Sequence, residues 1–437
     1  MFLIFLNGML TFFYITYFLS KLKKIKKFNS YMIALGMYTI IYGILPLMLL
    51  LFKDLKGYEF ITYNIQFDYE GMISLMYSSI LSLLGFLFLI MGYESKVFFK
   101  KEKEKEKKYN KIIGLTAWTS LAIGILSFLL WAKAYGSINN LIKLANAVRA
   151  GFSDIVNSFA FFKHPTRIVL FSCLFFFTII QEEKRMSIKK IGFYIGFFIS
   201  FYFSYLFLMA SDGRLTMVLF LISFVWIKFG NKKYKFPIKS LFRFGIVALI
   251  ALVLLKYMDS ITYFIKFGEW RDVPSSLVNK ILEELYFIPQ SIQTAILSRE
   301  EQKIGFTIVD DIITGIFSWV PTKFKPDGFQ DVWNINTYLT YRYDGFGQRP
   351  CSLISQGYYD LGIFGVIFLS FLLGKLFKSV DRLNESKNIF KKSIGAYITI
   401  FNVIYVIPYC SFYSFMLIIF PIAVSIIIYK GFTLLLK

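Results

Sequence analysis

Apolar residues run along most of this chain in blocks of roughly twenty, the length a helix needs to cross the hydrocarbon core of a bilayer. The blocks fall near 2–20, 31–52, 73–95, 112–131, 164–180, 191–210, 214–229, 241–258, 357–377, 394–409 and 411–430. They predict an all-α, polytopic membrane helical bundle of about eleven transmembrane helices. The first block runs into KLKKIKK with no small-residue cleavage site, so it reads as a retained span rather than a signal peptide.

One stretch departs from this pattern. Residues 259–356 mix polar and apolar positions over a length that connecting segments rarely reach without a function. Within it, PSSLVNKILEELYFI (274–288) places Leu277, Val278, Ile281, Leu282 and Leu285 at helical spacing after a Pro-Ser-Ser start. An amphipathic helix lying on the membrane or capping the bundle is expected there. The chain thus divides into 1–258 with eight transmembrane helices, 259–356 as a large, partly helical external loop, and 357–437 with three more. No internal repeat and no matched pair of interrupted helices is visible, which weakens the case for an inverted-repeat transporter.

Composition agrees with a membrane protein. Of 437 residues, 57% are hydrophobic and only 17% charged, which argues strongly against a soluble globular domain. A formal charge of +22 would point to nucleic acid in a soluble protein. Here the Lys and Arg sit in short connections instead. If KLKKIKK (21–27) is cytoplasmic, so are 96–111, 181–190, 228–243 and 378–392, and these hold twenty-eight Lys and Arg against seven in 53–72, 132–163 and 211–214. The asymmetry places the N-terminus outside and the C-terminus in the cytoplasm, and it reports topology rather than a nucleic-acid partner. The run KKEKEKEKK (100–108) is then a solvated cytoplasmic segment. Cys173, Cys351 and Cys410 have neither a disulfide framework nor metal-ligand spacing, and nothing in the sequence demands a Cys351–Cys410 bridge.

The charges that need explaining lie at the predicted outer ends of the spans. In LFLMASDGRLTMVLF (207–221) an Asp-Gly turn delivers Arg214 between two apolar runs. It reads either as a snorkelling cation on a turn or as part of an anion site. Arg149 lies in GSINNLIKLANAVRAGF, Arg342 and Arg349 in YRYDGFGQRP, and Lys323 and Lys325 in WVPTKFKPDG. Singly, each resembles a solvated loop cation. Converging on one apolar bundle they would bind a membrane-borne anion, because guanidinium offers phosphate a planar fork of donors that stays charged. The single histidine, His164, reads as an interfacial residue beside Pro165 and Arg167. Asp310, Asp311, Asp327, Asp331 and Asp344 could each serve as a general base, and the sequence does not choose among them. No P-loop, GxSxG, HExxH or CxxC occurs.

From about residue 112 onward the order of features resembles the bacterial O-antigen and capsule repeat-unit polymerases (the Wzy type). Four stretches carry the resemblance: a short external loop opening with Gly and closing on Arg-x-Gly (YGSINNLIKLANAVRAG); a Ser-x-x-Arg turn at the start of a span (SDGR); a Pro followed by Lys-Pro (VPTKFKP); and a Ser-rich approach to a span with a spaced Gly pair (SLISQGYYDLGIFGVIFLSFLLGKLF). Two features depart from it: SDGR stands where relatives often have Ser-Gly-Ser-Arg, and Gln356 where they often have Glu.

The resemblance implies a metal-independent glycosyltransferase without cofactors, in the bacterial cytoplasmic membrane. It would move a growing glycan from undecaprenyl pyrophosphate onto a lipid-linked repeat unit at the outer face. Arg214 and Arg149 would hold the pyrophosphate, with Arg342 or Arg349 closing from the long loop. Lys323, Lys325, Trp319, Trp333, Tyr338, Tyr341 and Gln356 would contact the substrate, the aromatic residues stacking on sugars. Partners implied are the lipid-linked oligosaccharide, membrane lipid and a chain-length regulator. Two other readings stay open: a ligase moving finished glycan to another acceptor, for which a histidine in the long loop would speak, and a flippase, which would carry charges deeper in its spans.

Overall fold

The computed structural model describes residues 1–25, 28–54, 65–96, 111–145, 158–183, 187–211, 214–230, 285–321, 324–341 and 349–436, with scattered positions between 245 and 282. The chain begins with α1 (Phe2–Ile25), α2 (Ser30–Phe52), α3 (Tyr69–Glu94), α4 (Lys111–Ala134), α5 (Phe159–Glu182) and α6 (Ile188–Ser211). It continues through α7 (Arg214–Phe229), α8 (Phe287–Glu300), α9 (Ile308–Ile316), α10 (Val332–Tyr341) and α11 (Leu353–Leu361). It ends with α12 (Ile363–Asn384), α13 (Ile389–Ile398) and α14 (Phe412–Leu435). Among the described residues no strand forms, only an isolated bridge between Cys351 and Cys410.

Among the described residues eight helices, α1 to α6 with α12 and α14, are long and apolar enough to cross a membrane, and they are those of a membrane-embedded protein. They correspond to eight of the predicted spans. The block at 214–229 recurs as α7, a shorter apolar helix of 16 residues. The block at 394–409 becomes α13 followed by a π-helical turn, Thr399–Ile404. The block at 241–258 lies almost wholly outside the described residues.

The expected span at 357–377 is broken and begins later. Gly362 sits at φ 62°, ψ −140°, a conformation that side chains clash in, and it turns the chain between α11 and α12. A Cβ on Gly365 would come within 1.9 Å of the Gly357 carbonyl oxygen, so the spaced glycine pair lets the two helices touch through bare backbone.

A second close seam joins α3 to α12. Added Cβ atoms would meet Phe371 O at 2.1 Å from Gly92 and Leu89 O at 2.2 Å from Gly374. Between apolar helices in lipid, such close backbone approach supplies the dispersion contacts that hydrophobic exclusion cannot.

The stretch read as a long loop contains short helices with buried faces. Helix α8 buries Ile288, Ile292, Ala295 and Ile296 and packs on α3, α10 and α11, while α9 packs on α14. The helix expected over 274–288 falls mostly outside the described residues, though Leu282 is buried. All three cysteines are free thiols. Cys351 and Cys410 are neighbours through their backbones, the Cys410 amide donating to Cys351 O at 2.6 Å.

Helix ends that the charge pattern assigns to one side of the membrane meet in space. Lys21 pairs with Glu94 at 2.6 Å, Lys392 pairs with Glu182, and Lys378 donates to Ser95 O at 2.6 Å. At the same end Asp381 of α12 is buried and accepts from the Ser30 amide at 2.8 Å, the Ser30 hydroxyl, Asn29 Nδ2 at 2.7 Å and Tyr93 Oη at 2.9 Å. Four donors on two oxygens bind the start of α2 to α3 and α12.

Candidate functional site

A cavity of about 490 Å³ opens where α5, α6, α7, α13 and α14 meet the segment leading into α10. The first turns of α5 supply Lys163, His164 and Arg167. Pro165 is tolerated there because α5 opens as a 3-10 turn over Ser158–Phe162 and becomes α-helical only at Lys163, and the first turn of an α-helix leaves its amides free of intrahelical partners. Lys325 arrives from the loop after α9, and Asp331 and Trp333 from the entry to α10. Tyr397 and Tyr405 enter from α13 and its continuation, and Tyr413 from the first turn of α14. Ser211 and Thr216, on either side of the Asp-Gly-Arg sequence at 212–214, also line the wall.

The chemistry is that of an anion receptor with aromatic walls. Three side chains with a fixed or near-fixed positive charge face one acid. Arg167 lies 5.9 Å from the Phe207 ring centre, and Lys325 Nζ lies 5.2 Å from that of Tyr413. Burial pulls the Lys325 ammonium below its ordinary value, an effect that Asp331 opposes. A second cavity of about 480 Å³ is lined by Lys53 with Asp54, Asp68 and Glu301, so it would repel the ligand that the first attracts.

Behind the wall lies a set of buried carboxyls. Gln356 Nε2 donates to Asp311 Oδ2 at 2.6 Å and to Asp360 Oδ2 at 2.8 Å. The Phe412 amide reaches Asp311 Oδ2 at 3.1 Å, and the Thr307 hydroxyl reaches Asp360 Oδ1 at 3.1 Å. Burial, then the charges of Asp360 and Asp331, push Asp311 well above the carboxylate range. Burial raises Asp360 to about 6 and Asp331 to about 7. Both Asp331 oxygens, like Asp311 Oδ1, are buried without a hydrogen-bond partner of good geometry, although the Ser411 hydroxyl, the Val332 and Trp333 amides and the Asp311 carboxyl lie beside Asp331.

No protein-family model, curated protein or solved structure matches this chain.

Of the residues singled out in the sequence, the cavity gathers Lys325 and Trp333. Arg214 opens α7 between the lining residues Ser211 and Thr216, and Tyr341 closes α10, their side chains falling outside what is described. Arg149, Arg342 and Lys323 lie outside the described residues. Arg349 is placed elsewhere, its guanidinium donating to the Tyr286 hydroxyl and lying over that ring at 5.0 Å. Trp319 packs on α14, its indole N–H donating to Met416 O at 2.8 Å and its ring meeting Phe420 edge-on. Trp333 is likewise anchored, to Cys410 O at 2.8 Å. Tyr338 is exposed on α10. Gln356 belongs to the carboxyl cluster, where an amide is needed: its NH₂ offers two donors to two acids, and a Glu would offer no more than one.

Lys163, Arg167 and the tyrosines 397, 405 and 413 were not singled out as ligand-binding residues from sequence. The only signal for the cations was their place beside His164 at a predicted outer span end. The tyrosines lie in blocks where aromatic residues are abundant, and no spacing marks which of them face one another.

Proposed function

We propose that this chain is a membrane glycosyltransferase that polymerises lipid-linked repeat units. It takes a growing glycan from undecaprenyl pyrophosphate and passes it to a lipid-linked acceptor at the outer face of the cytoplasmic membrane. In this reading about eleven spans hold the N-terminus outside and the C-terminus inside, and 259–356 belongs to the outer side. The observation that carries the proposal is the convergence of Lys163, Arg167 and Lys325 with aromatic side chains around one cavity, bracketed by the residues flanking the SDGR turn. Helices α5, α6, α7 and α14 line it from the ends that the charge asymmetry assigns to the outer side.

Negative charge builds on the leaving pyrophosphate as the glycosidic bond breaks. Fixed cations in a low-dielectric site bind that charge more strongly in the transition state than in the ground state, and this difference lowers the barrier. Lys163, Arg167 and Lys325, with Arg214 at the neighbouring turn, are assigned to the pyrophosphate. Tyr397, Tyr405, Tyr413 and Trp333 are assigned to the sugars, whose apolar faces stack on aromatic rings. A charge-assisted hydrogen bond contributes about 1.5–3 kcal/mol, so loss of one such cation should slow transfer by about tenfold or more.

The test is the length of surface glycan in a gene-deletion strain complemented with wild type, Arg167→Ala or Arg214→Ala, with membrane levels of each protein measured. Single repeat units on the surface of the deletion strain, extended only by wild type, support polymerisation. If no unit reaches the outer surface in the deletion, transport replaces this reading. If full-length polymer accumulates on the lipid carrier without transfer to its final acceptor, ligation replaces it.

A further inference from the structure

We infer that Asp331 is the general base of the transfer step, an inference that rests on the glycosyltransferase reading above. Among the described residues Asp331 is the one acid in the wall of the cationic cavity. The other described candidates lie elsewhere: Asp311, whose Oδ2 is held by Gln356 and the Phe412 amide and whose Oδ1 is buried without a partner, does not line the cavity, nor does Asp310 or Asp327.

The geometry around Asp331 is unusual for a structural acid. Preceding the first turn of α10, it stands where aspartate ordinarily caps a helix by accepting from an amide two or three residues on. It makes no such bond of good geometry: both oxygens are buried without a well-aligned partner, with the Ser411 hydroxyl, the Val332 and Trp333 amides and the Asp311 carboxyl beside them. Buried polar atoms in folded chains are overwhelmingly satisfied, and those that are not mark places where another group is to bind. A carboxylate beside Lys325 whose oxygens lack well-aligned donors, in a cavity with aromatic walls, suits a sugar hydroxyl.

The step balances without a further reagent. The acceptor hydroxyl oxygen uses a lone pair to form the new bond to the anomeric carbon, while its proton passes to the Asp331 carboxylate. The bond from that carbon to the pyrophosphate oxygen breaks, its electron pair leaving on undecaprenyl pyrophosphate beside the cavity cations. The Asp331 carboxylic acid then returns its proton to water. The titratable groups around Asp331 are Asp311 from α9, Lys325 from the preceding loop, Cys351 before α11, and Cys410 and Tyr413 at the start of α14.

Full-length protein in nanodiscs, supplied with the lipid-linked repeat unit that accumulates in the deletion strain, provides the assay. Asp331→Asn is expected to lower kcat by at least about a hundredfold, the contribution of a positioned base, with KM and binding of bare undecaprenyl pyrophosphate within about threefold of wild type. Wild-type kcat should rise with pH through one limb, and that limb should be absent from the residual activity of Asp331→Asn. Asp331→Glu, which keeps the carboxylate, should recover part of kcat and shift the limb. A kcat for Asp331→Asn near the wild-type value, or an unaltered pH limb in that variant, overturns the assignment and leaves the polymerase reading standing. A wild-type protein that does not extend the repeat unit at all sinks both. Should Asp331→Asn fail to fold, a pH limb that Asp331→Glu does not move overturns the base assignment.

Discussion

Asp381 and Asp331 are the same residue type with nearly the same exposure, 5% and 6%, and their surroundings are opposites. Asp381 accepts from Ser30, Asn29 and Tyr93, and its oxygens are used up in joining three helices. Asp331 lies against a cavity lined by cations, with neither oxygen met by a well-aligned donor. Burial alone therefore does not mark a functional acid. Unspent hydrogen-bonding capacity beside a cavity does, because folding has then left an interaction for something else to complete.

The contrast is broken most severely at its structural end. Asp381→Ala leaves several buried donors without an acceptor, and at about 1–3 kcal/mol for each such group the loss should be on the order of 4 kcal/mol. Thermal unfolding in nanodiscs should show a large fall, while activity per folded molecule stays at the wild-type value. A variant melting like wild type would remove the distinction.

The carboxyl cluster should also make stability depend on pH. Asp360 and Asp331 are raised to about 6 and about 7 in the folded chain, against about 3.9 when unfolded. The folded form thus holds protons that the unfolded form has released. The resulting stability is complete below about pH 4 and is lost as pH rises through 6 to 7, with a slope of at most about 1.4 kcal/mol per pH unit for each carboxyl. Melting temperatures measured from pH 4.5 to 8 should fall in wild type and fall less steeply in Asp360→Asn; equal slopes would exclude Asp360 as a source.

Gly374→Ala pushes a methyl group against Leu89 O, which the added Cβ would approach to 2.2 Å. The overpacking should cost about 2 kcal/mol, visible as a lower melting temperature. Arg167→Ala, at the other end, should lower melting less than Gly374→Ala does and weaken binding of undecaprenyl pyrophosphate by about tenfold, the loss of one charge-assisted contact. Weakened binding in Gly374→Ala but not in Arg167→Ala would reverse the assignment of the two ends.

The membrane helices were legible in the sequence because long apolar blocks leave little alternative to a helix in lipid. Block boundaries read from hydropathy missed the corner at Gly362, since the residues on both sides are apolar enough for one continuous span. The candidate site was legible only in part. Lys325 and Trp333 stood out as a loop cation and a loop aromatic, but Arg167 sits inside an apolar block beside a histidine. Gln356 could not be assigned before its neighbours were known, because an amide between two acids looks the same in sequence as an amide that binds sugar. The choice of Asp331 among the described acids depends on which of them lines the cavity, a property of three-dimensional neighbours rather than of spacing.

The corner between α11 and α12 also constrains how this chain can change. Gly357 and Gly365 touch only because a fixed number of residues separates them around Gly362. One residue added or removed between them would rotate α11 by about 100°, carrying Gln356 and Asp360 away from Asp311 and setting a side chain where only backbone fits. Insertions are therefore expected to survive in the connections on either side and to be purged from this short stretch, which works as a ruler between the carboxyl cluster and the bundle.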